Sequence, residues 1–331
     1  MISFLARRLG WFLATLLAVV TVSFFLMRAT RGGPFDAERR LDPTIERNLR
    51  ARYHLDWPVW KQFLGYLGPL NLDERSARIL GGDGERVFGG VLAGDFGPSL
   101  RYRDQTVGDL LSESLPVSLA LGSLALLGAV AVGLAAGVIA AVRRGTAVDL
   151  GLRFLATLLL ALPNFVVASA LVILFALLLP LFPVAGFGTW RHLLLPAIAL
   201  GAPIAANVAR LARTGMLETL GADFVRAARA KGLPERIVLL RHALPGALLP
   251  VASYLGPAAA GVLTGSLVVE RIFAIPGAGS HFVNSALNRD YTLAMGVTIV
   301  YCGIVYGLNT LVDLVHRVLD PRVAHVETEG A

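Results

Sequence analysis

The chain has 331 residues, of which 55% are hydrophobic and only 16% charged, with a mean hydropathy of +0.66. A soluble domain needs about a quarter of its residues charged to cover its surface, so an ordinary soluble fold is excluded and a lipid bilayer becomes the expected solvent. A net charge of +7 would suit nucleic acid, but the cations lie scattered between oily runs and not in one polar domain with aromatic readers, so no nucleic-acid partner is expected.

Residue counts remove further chemistries. The lysines are Lys61 and Lys231, and neither precedes Ser or Thr; a phosphate-cradling GxxxxGK[ST] loop therefore has no place in this chain. A single cysteine, Cys302, rules out an internal disulfide or a cysteine metal cluster. The six histidines show neither HExxH nor zinc-ligand spacing, so no metal site is expected.

In chain order, six segments lack charge over a length that crosses a hydrocarbon core, which takes roughly 20 helical residues. They are 9–28, 115–142, 154–181, 192–210, 246–269 and 292–314. The first follows Arg7 and Arg8, but its apolar run is longer than a signal-peptide core and "MRATRGG" offers no small-x-small cleavage site, so 1–28 is expected to be a cytoplasmic N-terminus and a retained anchor. Residues 29–114 should form a small extracytoplasmic helical subdomain. There Asp42 would cap a helix opened by Pro43, "WPVWKQFLGYL" would be a second amphipathic helix, and "LGGDGERVFGG" (80–90) a flexible excursion. Residues 115–314 would hold the remaining five spans, and 315–331 a cytoplasmic tail in which Arg317 can reach back to Asp313.

Arginine placement sets the orientation. Arg7 and Arg8, Arg143, Arg144 and Arg153, the run from Arg210 to Arg241, and Arg317 and Arg322 all fall on one side, which the positive-inside rule makes the cytoplasm; both termini lie there. The arginine-rich stretch 29–114 is long enough to be exempt from that rule.

Within the spans, Pro163, Pro180, Pro196, Pro203, Pro250 and Pro257 either kink helices that line a cavity or are ordinary membrane-helix prolines. Asn164 and Asn207 are the polar candidates for a substrate pathway, or else interhelical hydrogen-bonding groups. Ionisable groups are missing from mid-span, which weighs against proton or sodium coupling.

The longest cytoplasmic connection, 211–245, predicts a short helix of about two turns. Asp223 serves as N-cap, Lys231 as a cation in the last turn and Gly232 as the left-handed residue that ends it. Phe224, Ala227, Ala228 and Lys231 then share one face while Arg226 and Arg229 point elsewhere. Such a face suits insertion into a groove of another protein; the alternative is a solvated helix lying on the membrane surface. Between the last two spans, "ERIFAIPGAGSHFVNSALNRDY" should dip into the outer leaflet, with Pro276, Gly277 and Gly279 making a turn. That segment reads as an outer gate or receptor-docking surface, or as a plain loop. Glu270 would contact substrate or a neighbour, or pair with Arg271 or Arg289.

Arg226, Ala227, Ala228, Gly232, Leu244 and Pro245 resemble the EAA loop of ABC-importer permeases, with departures at the leading acid (Arg226) and at a usual Ile (His242). "RGGPFD" (31–36), "ARYHLDWPV" (51–59), "GDFGPSLRYRD" (94–104), "TGSLVVERIFAIPGAG" (264–279), "ALNRDY" (286–291) and "LDPRV" (319–323) extend the resemblance over nearly the whole chain. Together they look like the B-type permease of oligopeptide and dipeptide ABC importers, the oligopeptide branch most of all.

The resemblance implies an all-α integral membrane protein with six transmembrane helices of the type-I importer permease fold. It implies a transport subunit without enzymatic activity in a bacterial inner membrane. A homologous second permease, two ABC ATPase subunits and an extracytoplasmic peptide-binding protein would be its partners. No cofactor would sit on this chain, since ATP and Mg²⁺ would be bound by the ATPases, and 223–232 would be the coupling helix. A nickel chelate or glutathione as cargo, and an ion-coupled secondary transporter, stand as the alternatives.

Overall fold

A computed structural model of the chain describes residues 2–29, 43–52, 54–68, 89–102, 104–264 and 267–319. Asp42, most of the glycine-rich stretch and the tail beyond 319 lie outside the described residues, as does the side chain of Arg317. Twelve helices are described: α1 Ile2–Ala29, α2 Pro43–Arg52 and α3 Val59–Leu67; α4 Val107–Val142 and α5 Ala147–Ala161; α6 Asn164–Leu178, α7 Trp190–Leu220 and α8 Asp223–Ala230; α9 Glu235–Leu263, α10 Leu267–Ile272, α11 Ala278–Leu287 and α12 Tyr291–Leu319.

Five of them (α1, α4, α7, α9 and α12) are long and apolar enough to cross a bilayer, and α5 with α6 makes a sixth span only as a bent pair. The third span is thus not the single rod 154–181 but two helices meeting at 110°. Proline chemistry accounts for the break. Leu162 precedes Pro163 and leaves the helical region at φ −86°, ψ 129°, the extended conformation that a following proline ring favours. By contrast Pro196 and Pro203 sit inside α7, and Pro250 and Pro257 inside α9, without ending either helix.

The fourth span also runs longer than its charge-free stretch. Arg210 ended the apolar run at 210, yet α7 continues ten residues to Leu220; arginine is a good helix former and loses nothing where the helix leaves lipid. The connection 211–245 is therefore mostly helical. Likewise α9 starts at Glu235 and passes through a π-helical turn at Val238–Ala243 before Pro245.

The chain divides into two units. The first comprises residues 1–116 and 278–303. Val20 and Phe24 of α1 bury themselves with Tyr66 of α3 and with Met295 and Ile299 of α12. Arg28 lies 3.8 Å above the Phe24 ring and donates from Nε to Gln62 Oε1 at 2.7 Å, a cation–π contact backed by a neutral acceptor. Asp290, fully buried, caps α12 through the Leu293 N–H at 3.2 Å. It also accepts from the Leu100 and Arg101 N–H groups and the Ser99 and Thr292 hydroxyls. A buried carboxylate needs such a full set of donors, and here the set ties the 98–102 loop to the start of α12.

The second unit comprises 117–277 and 304–331. Its core is a seam of small residues. Along α4, Ala125, Ala129, Gly133, Gly137 and Ala141 recur every fourth position and are buried. A Cβ on Gly133 would lie 2.6 Å from Ala205 O, and one on Gly137 2.5 Å from Ala209 O; α4 and α7 therefore touch backbone to backbone, running in the same direction. In lipid no hydrophobic drive separates protein from solvent, and close packing of small residues is what holds helices together. Large side chains such as Leu127, Leu150, Phe154 and Leu178 are correspondingly turned outward.

Candidate functional site

The α7–α9 connection is built around a very small core. Gly221 and Ala222 turn the chain out of α7, and α8 begins with Ala222 as its extended N-cap at φ −75°, ψ 150°. Asp223 is thus not the cap but the first helical residue, and its side chain makes no capping bond. It lies 3.4 Å from Arg226 at i+3, where a carboxylate still complements the helix N-terminus. Arg226 also donates to the Gly221 carbonyl at 3.0 Å.

Val225 and Ala228 are buried with Val238 of α9 against half-buried Leu220 of α7. Ala228 consequently belongs to the inner face, which corrects its expected place beside Phe224 and Ala227. At about 100° per residue, Ala228 lies between Phe224 and Val225, and the larger apolar Val225 decides which way the helix rolls. The exposed face is left with Phe224, Ala227 and Lys231, Phe224 being 54% exposed.

The helix ends one residue earlier than expected. Lys231 is the C-cap, φ −76° and ψ 0°, and donates its N–H to Ala227 O, so it follows the last turn and is not part of it. Gly232 takes φ +78°, a conformation that costs glycine nothing. Across this turn Arg229 grips Glu235 through two bonds, NH2–Oε1 2.6 Å and Nε–Oε2 3.2 Å, which raises the Arg229 pKa above its usual value. The clasp joins α8 to α9. No local spacing rule points to it, because residues six apart meet only once the turn is formed.

The polar candidates separate. Asn207 donates to Tyr254 OH at 3.2 Å and accepts from Arg210 at 3.1 Å, binding α7 to α9 and spending its amide on packing. Asn164, half-buried, opens α6 directly after the Pro163 break.

In the second unit, Glu270 of α10 is wholly buried and accepts from the Ser118 hydroxyl at 2.8 Å. Ile275 N–H closes onto the Glu270 carbonyl at 2.8 Å, and Gly186 N–H onto that of Phe273 at 2.8 Å. Gly277 presses its bare Cα against the carboxylate, since a Cβ there would lie 2.4 Å from Glu270 Cδ. Pro276 stays exposed at the turn. Gly279 is not in that turn; it is the second residue of α11 in the other unit, and buried.

A further buried carboxylate forms an ion pair that spacing rules do not point to. Asp149, in the first turn of α5, receives Arg213 of α7 bidentately, Nε–Oδ1 2.7 Å and NH2–Oδ2 2.8 Å, together with the Gly145 N–H at 3.0 Å.

Among the described residues, five helices long and apolar enough to span a membrane, a bent helix pair, and a short helix between α7 and α9 make an all-helical membrane permease fold. Consistent with this, the inward-facing MetNI methionine ABC transporter shares the fold at a TM-score of 0.54 and 17% identity, over 64% of this chain and 96% of that one. The sequence family described as binding-protein-dependent transport system inner membrane component matches residues 133–325. The oligopeptide transport system permease protein OppB of Escherichia coli K12 is 42% identical over 327 residues, 98% of this chain and all of that one. The dipeptide transport system permease protein DppB of Bacillus subtilis is 40% identical over 323 residues, 98% of both chains. The chain belongs to the binding-protein-dependent inner-membrane permease family; it is a multi-pass inner-membrane transport subunit and not an enzyme.

Proposed function

We propose that the chain is the permease subunit of an ATP-driven importer that moves oligopeptides or dipeptides across the inner membrane. The observation that carries this reading is end-to-end likeness, at 40% identity or more, to permeases named for those two cargoes. A binding protein on the outer side would deliver peptide, a homologous second permease would complete the pathway, and two ATPase subunits would bind ATP and Mg²⁺. The absence of a GxxxxGK[ST] loop from the sequence supports that division of labour.

In this reading both termini and the α7–α9 connection face the cytoplasm, and residues 29–114 the outside, as the arginine distribution favours. The exposed Phe224–Ala227–Lys231 face of α8 seats in an ATPase cleft. Closure of the ATPases displaces α8, and the clasp to Glu235 and the Val225–Ala228–Val238 contact carry the displacement into α9. Packed helices are bistable and not soft, so the bundle switches between two arrangements. The Glu270–Gly277 turn forms part of the outer gate or receptor surface.

Reconstitution of this chain with its partner permease, ATPases and binding protein in liposomes tests the reading. Uptake of labelled tri- to pentapeptides should require ATP and the binding protein together, and unlabelled peptide should compete while nickel chelates and glutathione do not. Peptide uptake by the purified chain alone, driven by an ion gradient, overturns it.

A further inference from the structure

We propose that Asp149 and Arg213 are positioning residues for coupling: their ion pair is the strut that passes movement of the α8 end of α7 into α5 and so into the broken third span. This rests on the importer reading above.

Three features of the pair support the assignment. The first is its location. Arg213 lies seven residues before the end of α7, about 10 Å along the helix axis, and α7 leads through only Gly221 and Ala222 into α8. A displacement of α8 reaches Arg213 through that two-residue turn and the last turns of α7.

The second is its geometry. The Asp149 side chain is 3% exposed and that of Arg213 19%, and the carboxylate is filled by three donors: two from the guanidinium and the Gly145 N–H. Gly145 belongs to the turn between α4 and α5, so the same carboxylate fixes that turn, the start of α5 and α7 to one another. α4 presses on the same stretch of α7, where a Cβ on Gly137 would lie 2.7 Å from Ala212 Cβ and 3.1 Å from Arg213 N.

The third is its isolation. Among the described residues no other side-chain hydrogen bond joins α5 to α7. The rest of that interface is apolar packing, which resists separation but permits sliding. A bidentate arginine–carboxylate pair is directional in both respects, so it sets the register of α5 on α7 where the leucines do not. Beyond α5 lies the 110° break at Pro163, where a change in the tilt of α5 swings α6.

Neutralising one partner alone leaves an uncompensated buried charge, which destabilises any fold; the informative variant is the doubly neutral Asp149→Asn with Arg213→Gln, which removes both charges and the two-bond fork while keeping a polar side chain at each position. It is placed in the full reconstituted importer beside Arg213→Lys, which keeps the charge but not the fork. Peptide imported per ATP hydrolysed is measured together with complex yield and thermal midpoint. We expect the doubly neutral complex to assemble and to hydrolyse ATP in the basal state, with transport per ATP reduced roughly 2- to 30-fold, and Arg213→Lys to fall between it and the parent. A parental ratio in the double variant, or a defect confined to assembly, overturns the strut and leaves the pair a fold brace. If the unaltered complex itself moves no peptide with ATP and binding protein, the importer reading fails instead.

Discussion

One alanine separates two kinds of surface on α8. Ala228 is buried with Val225 and Val238, whereas its neighbour Ala227 is exposed beside Phe224. A glutamate at 228 would have to stay protonated at neutral pH, costing about 4 kcal/mol, or expel α8 from α9. Ala228→Glu should therefore lower the yield and thermal midpoint of the permease on its own. Ala227→Glu should leave both unchanged and weaken capture of the ATPase subunits on an affinity column. Equal effects of the two substitutions on either measurement would contradict the division of faces. Asp290 works the same way in the other unit: one side chain collects five donors because no water reaches it.

At the scale of elements, the α4–α7 seam depends on what is missing from its side chains. Gly137 and Gly128 lie on the same helix, but a Cβ at 137 meets Ala209 O at 2.5 Å while one at 128 meets nothing within 4 Å. Gly137→Ala should push the two helices apart and destabilise the detergent-solubilised protein by about 1–3 kcal/mol, the usual cost of overpacking. Gly128→Ala should be neutral or slightly stabilising, since alanine is the better helix former. Thermal midpoints of the two variants provide the comparison, and a Gly137→Ala protein as stable as the parent would mean the seam is looser than its geometry. The broken third span obeys a different rule. There the chain turns at Leu162, whose extended backbone is the conformation that a following proline favours.

At the scale of the whole molecule the arginine asymmetry makes a topological prediction. After Cys302→Ala removes the native thiol, a cysteine placed at exposed Lys231 or at exposed Leu92 reports its own side. In intact cells a membrane-impermeant maleimide should label Leu92→Cys after outer-membrane permeabilisation and leave Lys231→Cys unlabelled until the inner membrane is opened. The reverse pattern would invert the orientation and remove α8 from reach of any cytoplasmic ATPase.

Much of this protein is legible in its sequence. Charge-free length located five of the six expected spans as single helices, since a charge in hydrocarbon costs kilocalories whatever the helix packs against, and arginine placement gave the expected orientation. Gly232 announced the turn after α8, because only glycine reaches φ +78° without strain. Other features needed the folded chain. The roll of α8 that buries Ala228, the continuation of α7 past Arg210, the Arg229–Glu235 clasp, and the partners of Asp149, Asn207 and Glu270 join residues six to more than 150 positions apart. Periodicity and capping are local physics, repeated at every helix and therefore readable one segment at a time. Which buried carboxylate meets which donor depends on how helices cross, and that is settled only when side chains from distant segments compete for the same space.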